Sequence, residues 1–291
     1  MDARDPTNRP LNRSLFRSDL VEVGLFDCPR GHPRFHDSGP IRQYLVVFPR
    51  QAVRIRYGAG EDVLASQQVI TLYNDGQRYR REELSEYGDQ SIWLRFRRRE
   101  VLEALQACGR THAAAESLPF AWTHSPCASA TFLLQRQMVR DLASAGFSDF
   151  LGVTETALRL LHQAVAATSA GRVPMRRMAA QPGTRQRHQR LAQRCEAYLA
   201  TRYDQPLTLE SLAAELATTP FHLSRVFTAH GGRSIHQHLL QLRLRAAVDR
   251  MLDCPGVTLT DLGLELGFAT PSHFSNAFRQ HFGIPPSQFR A

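Results

Sequence analysis

Lysine is missing from all 291 residues: each of the 36 basic positions is an arginine, set against 27 carboxylates for a formal charge of +9. The absence removes compact ammonium charges and leaves only planar guanidinium forks, which match phosphate oxygens and guanine edges. A basic chain of this kind fits a nucleic-acid partner better than an acidic one. Paired cysteine is missing too. Cys28, Cys108, Cys127, Cys195 and Cys254 are odd in number and lie far apart, with no zinc-finger or redox spacing. They read as reduced, intracellular thiols. Long apolar runs are also lacking. The first thirty residues are broken by Asp2, Arg4, Asp5, Arg9, Arg13, Arg17 and Asp19, and no later stretch reaches the roughly eighteen apolar residues of a membrane span. The expectation is a soluble cytoplasmic protein with no membrane partner. Its 43% hydrophobic content supplies two ordinary cores.

What is present changes character along the chain. Residues 1–17 are polar and Pro-containing, a loose arm by pattern. From 18 to 97 the apolar period is two, in "LVEVGLF", "YLVVF", "VRIRY", "QVITLY" and "SIWLRF", with turn signals "GHP", "SGP", "GAG" and "NDGQ" between them. This predicts an antiparallel sandwich or barrel. Helical spacing follows at 99–107, 128–144 and 153–168, and the last two segments are suited to pack as a hairpin or against a second subunit, giving a homodimer through 128–168. Residues 169–188 mix Gly, Pro, Ser and Arg without apolar periodicity and read as a linker. From 189 to 291 everything reads as helix. The expected fold is therefore α+β in two domains, 18–168 (strands 18–97, helices 98–168) and 189–291.

The helical part writes nine residues almost twice. "TPFHLSRVF" at 219–227 returns fifty-one positions later as "TPSHFSNAF" at 270–278, and the likeness extends to "LAAELA" with "LGLELG" and "FTAHGG" with "FRQHFG". Each copy is a helix, a tight turn, a helix and a glycine stop; the second turn is one residue longer, through Phe268. A Thr-Pro pair opens the second helix of both, the threonine to cap free backbone donors and the proline to preset the first turn. This predicts two helix-turn-helix units at 208–229 and 258–281. On a helical wheel Leu223, Val226 and Phe227 point inward, as do Phe274, Ala277 and Phe278. The opposite faces carry Phe221, Arg225 and Thr228 in one copy and Ser272, Asn276 and Arg279 in the other. The anchors are largely kept and every outward pair differs, the pattern required to read two different half-sites.

The stretch from about 185 to 291 resembles the DNA-binding domain of AraC/XylS-type transcriptional regulators. "LTDLGLELGFATPSHFSNAFRQHFGIPPSQFR" is similar to that family's signature region, with Gly267, Phe268, His273, Phe274, Phe278, Phe282, Gly283, Pro286 and Arg290 in place. The resemblance implies double-stranded DNA as partner, with two recognition helices in successive major grooves. The connecting helix, at about 28 Å, compares with the roughly 34 Å of a DNA turn. It also implies RNA polymerase as a further partner and activation as the usual outcome. The family's base-reading positions fall on Phe221, Ser224 and Arg225, and on Ser272, His273 and Asn276. The wheel agrees for Phe221, Arg225, Ser272 and Asn276 and puts Ser224 and His273 on opposite flanks. Arg225 can offer both arms of its fork to guanine, and Asn276 can pair with an adenine edge. Thr219, Arg243, Thr270 and Arg279 are assigned to phosphates, which position without specifying.

Strands, then a helical pair, then a linker is also the layout of family members whose N-terminal half is a cupin-like sensing barrel. On that resemblance an unknown small-molecule effector is expected in 18–97, with Arg50, Tyr57, Tyr79, Arg80 and Trp93 as candidate contacts. "GQRYRR" at 76–81 reads as an anion site or an exposed hairpin, and "RFRRR" at 95–99 as a nucleotide contact or a solvated edge. "CPRGHPRFH" spaces Cys28, His32 and His36 by four, but Pro29, Gly31 and Pro33 favour a loop over a metal site. No histidine occurs from 41 to 96, so the histidine-rich metal set of cupin enzymes is missing there; no cofactor, metal or catalytic residue is expected. The competing enzyme reading, an alkylation-repair protein with a methyl-accepting cysteine, needs a thiol activated by an adjacent histidine or a four-cysteine zinc site near the N-terminus. The one Pro-Cys pair, Pro126-Cys127, is followed by Ala128.

Overall fold

Strand β2 (Val21–Cys28) shows how the first part of the chain is organised. It pairs antiparallel with β8 (Asp89–Phe96) from Val21↔Phe96 to Cys28↔Asp89, so residues of one parity fall on one face across both strands. In the computed structural model, residues 11–37, 39–57, 62–110, 118–144, 149–168 and 182–290 are described. They form two units, Met1–Arg172 and Val173–Ala291.

In the first unit β2 and β8 sit inside a six-stranded antiparallel sheet of order β1-β2-β8-β3-β6-β9. The other members are β1 (Asn12–Arg17), β3 (Tyr44–Pro49), β6 (Val69–Tyr73) and β9 (His124–Pro126). A three-stranded sheet of order β5-β4-β7 is built from β4 (Val53–Arg56), β5 (Asp62–Ala65) and β7 (Arg80–Glu83). The large sheet is apolar on both faces. Val23, Val46, Ile70, Leu72, Ile92, Leu94 and Phe96, all almost fully buried, form the side met by α1 (Arg98–Ala107), α2 (Ser129–Ala143) and α3 (Phe150–Ala167). The other parity, with Phe26, Leu45, Val47 and Tyr73, packs toward Val53, Ile55 and Ala65 of the small sheet. The result is an antiparallel sandwich with a helical layer. Within the layer α3 packs on α1 and α2 and lies over β2 and β9.

Two expectations are corrected here. Residues 12–17 of the supposed arm are strand β1, paired with β2 from Asn12↔Phe26 to Arg17↔Glu22; residues 1–10 lie outside the described part. The pattern also missed β9, whose three residues pair with β6 from Val69↔Pro126 to Thr71↔His124, because so short a strand carries no readable alternation.

The second unit is helical: α4 (Pro182–Arg202), α5 (Leu209–Glu215), α6 (Pro220–Gly231), α7 (Ile235–Asp253), α8 (Leu259–Glu265), α9 (Pro271–Phe282) and α10 (Pro286–Arg290). Helix α4 starts seven residues earlier than periodicity suggested, so 182–188 of the expected linker are helical, and 169–181 lie outside the described residues. Leu212, Ala213, Leu216, Leu223 and Phe227 of the first repeat share a core with Cys195 and Leu199 of α4 and Leu239 and Leu242 of α7. In the second repeat Phe274 and Phe278 are fully buried and contact each other edge-on at 5.8 Å, while Phe289 of α10 closes on Phe278 at 6.3 Å. Burying each such ring contributes about 1.5–3 kcal/mol. Among the described residues no helix is long and apolar enough to cross a membrane.

Candidate nucleic-acid interface and ligand cavity

The two repeats are opened and closed by the same devices. Thr219 Oγ1 accepts the His222 backbone N–H at 3.3 Å, and Thr270 Oγ1 accepts that of His273 at 3.1 Å. Pro220 and Pro271 occupy the first helical turns, and Gly232 (φ 68°) and Gly283 (φ 81°) end the helices in the left-handed region. The preceding helices are capped by Thr208, which exchanges bonds with Ser211, and by Thr258, bonded to Asp261. The turn residue differs. It is Ala217 at φ 53° in the first copy and Gly267 at φ 76° in the second.

These caps leave the expected readout residues on the outside. Phe221 is 79% exposed, a large apolar ring held in solvent at the first turn of α6. Arg225 and Thr228 are exposed beside it, and Ser272, Asn276 and Arg279 are exposed on α9, whereas Ser224 is half-buried. His273 is exposed but leans edge-on against the buried Phe268 at 5.4 Å, and His222 meets His188 of α4 at 5.3 Å. Thr219 and Thr270 are exposed and committed to capping, with their hydroxyl hydrogens left to offer a phosphate. From 173 to 291 there are fourteen arginines and eight carboxylates, a formal +6, the electrostatic footing a phosphate surface requires.

Arg243 departs from expectation. Its Nε donates to the Tyr203 carbonyl at 2.7 Å, Nη1 to that of Gly267 at 2.7 Å, and Nη2 to that of Gln205 at 3.0 Å. The fork is spent on the protein itself. From α7 it ties the end of α4 to the turn of the second repeat, and a Cβ at Gly267 would lie only 2.7 Å from Nη2. Arg243 is thus a staple rather than a phosphate contact. Sequence pattern could not show this, because its acceptors are backbone carbonyls 24 to 40 positions away.

Behind the interface lie imidazoles that burial keeps neutral. His238, edge-on to Phe227 at 5.3 Å, has its pKa pushed down to about 3 by desolvation, with Arg233 and Arg245 adding to the effect. His281, against Phe282, is pushed down to about 4 by desolvation and Arg245. Burial raises the Cys195 thiol to about 12, which leaves it unreactive.

In the first unit a cavity of about 220 Å³ opens between the two sheets. Of the candidate effector contacts, Tyr79 and Trp93 line it and Arg50, Tyr57 and Arg80 do not. Arg80 is exposed on β7, Tyr57 packs against Tyr73 with rings 5.7 Å apart, and the backbone of Arg50 bonds to Gln90. Arg81, the neighbour that the hairpin reading placed at the surface, does not line the cavity but lies inside the unit. It is fully buried, donates to Asp89 at 2.7 Å and to the Arg34 carbonyl at 2.8 Å, and sits over the Phe26 and Phe35 rings. Cys28 is buried beside it. His32 Nδ1 accepts the Arg34 N–H at 3.0 Å, and His36 Nδ1 lies 3.0 Å from the Arg81 carbonyl. Cys28 thus ends β2, and His32 and His36 lie in the loop that follows it; among the described residues no cluster of three metal-ligating groups is found. Of "RFRRR", Arg95 lines the cavity and pairs with Glu22 at 2.8 Å, and Arg99 pairs with Glu103 at 3.1 Å. Cys127 is buried, its thiol 3.8 Å from the Ala128 carbonyl.

Comparison with known proteins bears on the second unit. A family profile described as a helix-turn-helix domain matches residues 212–291. The regulatory protein SoxS of Escherichia coli (strain K12) is 30% identical over 105 residues, which cover 35% of this chain and 95% of SoxS. The chain belongs to the AraC-type family of regulators. Another relative, the HTH-type transcriptional regulator GlxA of Rhizobium meliloti (strain 1021), is 33% identical over 92 residues, 32% of this chain and 28% of GlxA. The alignment thus spans well under a third of that regulator's length. Among solved structures, the C-terminal domain of AraT, a response regulator from Geobacillus stearothermophilus, is 29% identical, covers 34% of this chain and 83% of that one, and has a TM-score of 0.32. Within the AraC-type repeat, Phe221, Arg225, Ser272 and Asn276 are the positions that the caps present and the core leaves free.

Proposed function

We propose that this AraC-type chain is a sequence-specific DNA-binding transcriptional regulator that reads two dissimilar half-sites. The observation that supports the reading most is the pair of helices α6 and α9, alike in cap, stop and buried anchors and unlike on their exposed faces. Arg225 takes the role of guanine reader, Asn276 of adenine reader, Phe221 of a contact to a thymine methyl, and Arg279 of a phosphate clamp. Ser224, Ser272 and His273 complete the readout. The first unit acts as a small-molecule sensor through its inter-sheet cavity and as a dimerisation module through α2 and α3. Dimerisation is supported by Phe150 and Leu151, 59% and 79% exposed at the start of α3. Ligand binding shifts the balance between arrangements of the protein on DNA, and RNA polymerase is the partner through which the regulator activates. Genomic mapping of the native protein tests the reading. Discrete sites upstream of a small set of genes support it, and even coverage of the chromosome contradicts it.

A further inference from the structure

Helix α4 reaches past the core it helps to build. Its buried residues begin at Ala192 and continue through Cys195 and Leu199, the last two sharing a core with Leu223 and Phe227 of α6. Residues 183–187, at the tip, are all exposed and supply no large apolar side chain. A Cβ on Gly183 would meet nothing within 4 Å. Packing of an apolar face is what ordinarily holds a helix in a protein, and the tip has none.

The charge of this segment is one-sided. From 182 to 194 there are four arginines, Arg185, Arg187, Arg190 and Arg194, and no carboxylate. All four are exposed, and among the described residues none makes a side-chain hydrogen bond or ion pair. Arg187, Arg190 and Arg194 follow one another at three- and four-residue spacing, where like charges repel. Arg185 stands in the first turn and Arg187 just after it, where the helix dipole disfavours cations. The arrangement costs the free protein stability, and an anion at the tip offsets that cost.

The tip lies beside the first recognition helix. His188 meets His222 edge-on at 5.3 Å, and two turns later Glu196 is held among the charges of His230 and Arg233 at the other end of α6. The two helices therefore run parallel. Arg185 precedes His188 by three residues on the same side of α4, about 4.5 Å further along, which brings it level with Thr219, the cap of α6.

We propose that the tip of α4 is a phosphate clamp, in which Arg185 and Arg187 hold the DNA backbone bordering the half-site read by α6. The second repeat has no such tip. Helix α7, which packs against α8 and α9, is joined to the Gly232 stop of α6 by Arg233 and Ser234 alone. The clamp is thus one-sided. The inference rests on the proposed reading of DNA and adds to it a contact that carries no sequence information.

The test compares two double variants of the full chain that remove equal charge from the same helix: Arg185→Gln with Arg187→Gln at the tip, and Arg190→Gln with Arg194→Gln below it. Affinity is titrated against salt on the duplex that selection yields and on a random duplex of equal length. Each phosphate contact contributes about 0.9 to the slope of log affinity on log salt. The tip pair should therefore lower the slope by about 1.8 on both duplexes and leave base preference unchanged, whereas the lower pair should keep the parent's slope. Neutral methylphosphonate linkages beside the half that Arg225 reads should weaken the parent and not the tip variant, and beside the other half they should weaken both alike. Equal slope losses from the two pairs would reduce the effect to net charge and overturn the clamp. So would an unchanged slope, an altered base preference, or a linkage effect beside the Arg225 half shared by parent and tip variant. A parent that prefers no duplex would overturn the reading of two half-sites, while the slopes on random DNA still decide the clamp.

Discussion

At the scale of single residues, the decisive contacts are those that arginines make, and they divide into exposed forks and buried ones. Arg225 and Arg279 stand free on the recognition helices, whereas Arg81 and Arg243 are consumed inside their units. Sequence pattern separated the recognition-helix faces correctly because the inward residues, Leu223, Phe227, Phe274 and Phe278, recur at helical spacing. It failed for Arg81 and Arg243 because nothing local distinguishes an arginine that meets solvent from one that meets a distant carboxylate or carbonyl. Arg81 yields a sharp expectation. Arg81→Ala leaves Asp89 buried without its counter-ion, so the first unit should lose about 3–5 kcal/mol. The double replacement Arg81→Met with Asp89→Leu, which removes both charges, should recover most of that loss. Denaturant melts of the three proteins measure both effects, and a single variant as stable as the parent would show that the pair carries no structural burden.

At the scale of elements, the proposed reading of one DNA face requires the two helix-turn-helix units to be held apart at a set distance. Helix α7 has 19 residues and is about 28 Å long by helical rise, and Arg243 fastens it to the Gly267 turn. Arg243→Gln retains at most part of that staple. The expected result is a protein that still binds each half-site but tolerates one base pair inserted between the halves, where the parent loses about tenfold or more. Binding titrations on the two duplexes decide the matter, and unchanged spacing discrimination would remove the staple from the recognition geometry. Element boundaries were legible wherever a cap or stop was written in the chain, as at Thr219-Pro220, Thr270-Pro271 and Gly283. They were not legible at β1, β9 and the start of α4. Strands β1 and β9 take their structure from the strands they pair with, and the exposed residues 183–187 of α4 carry no apolar periodicity of their own.

At the scale of the whole molecule, the chain forms two units, each with its own core. The second is sensitive to acid in a way its buried imidazoles define. His238 and His281 have folded-state pKa values near 3 and 4, below the ordinary value of about 6.5. Both are neutral when folded, and the unfolded chain gains protons first. Their contribution is therefore fully present above pH 6.5 and falls as pH drops toward 4, by about 1.4 kcal/mol per pH unit for each histidine. The denaturation midpoint of this unit should fall across that window, and His238→Gln should roughly halve the slope.

The central claim is that the repeated skeleton carries two different messages. Selection from a random duplex library with the parent protein and with Arg225→Ala tests it most directly. A motif of two dissimilar halves about one helical turn apart is predicted. In the variant, preference should relax by about 1–3 kcal/mol at one base pair of one half only. Two identical halves, no consensus, or an Arg225→Ala motif indistinguishable from the parent's would contradict the account.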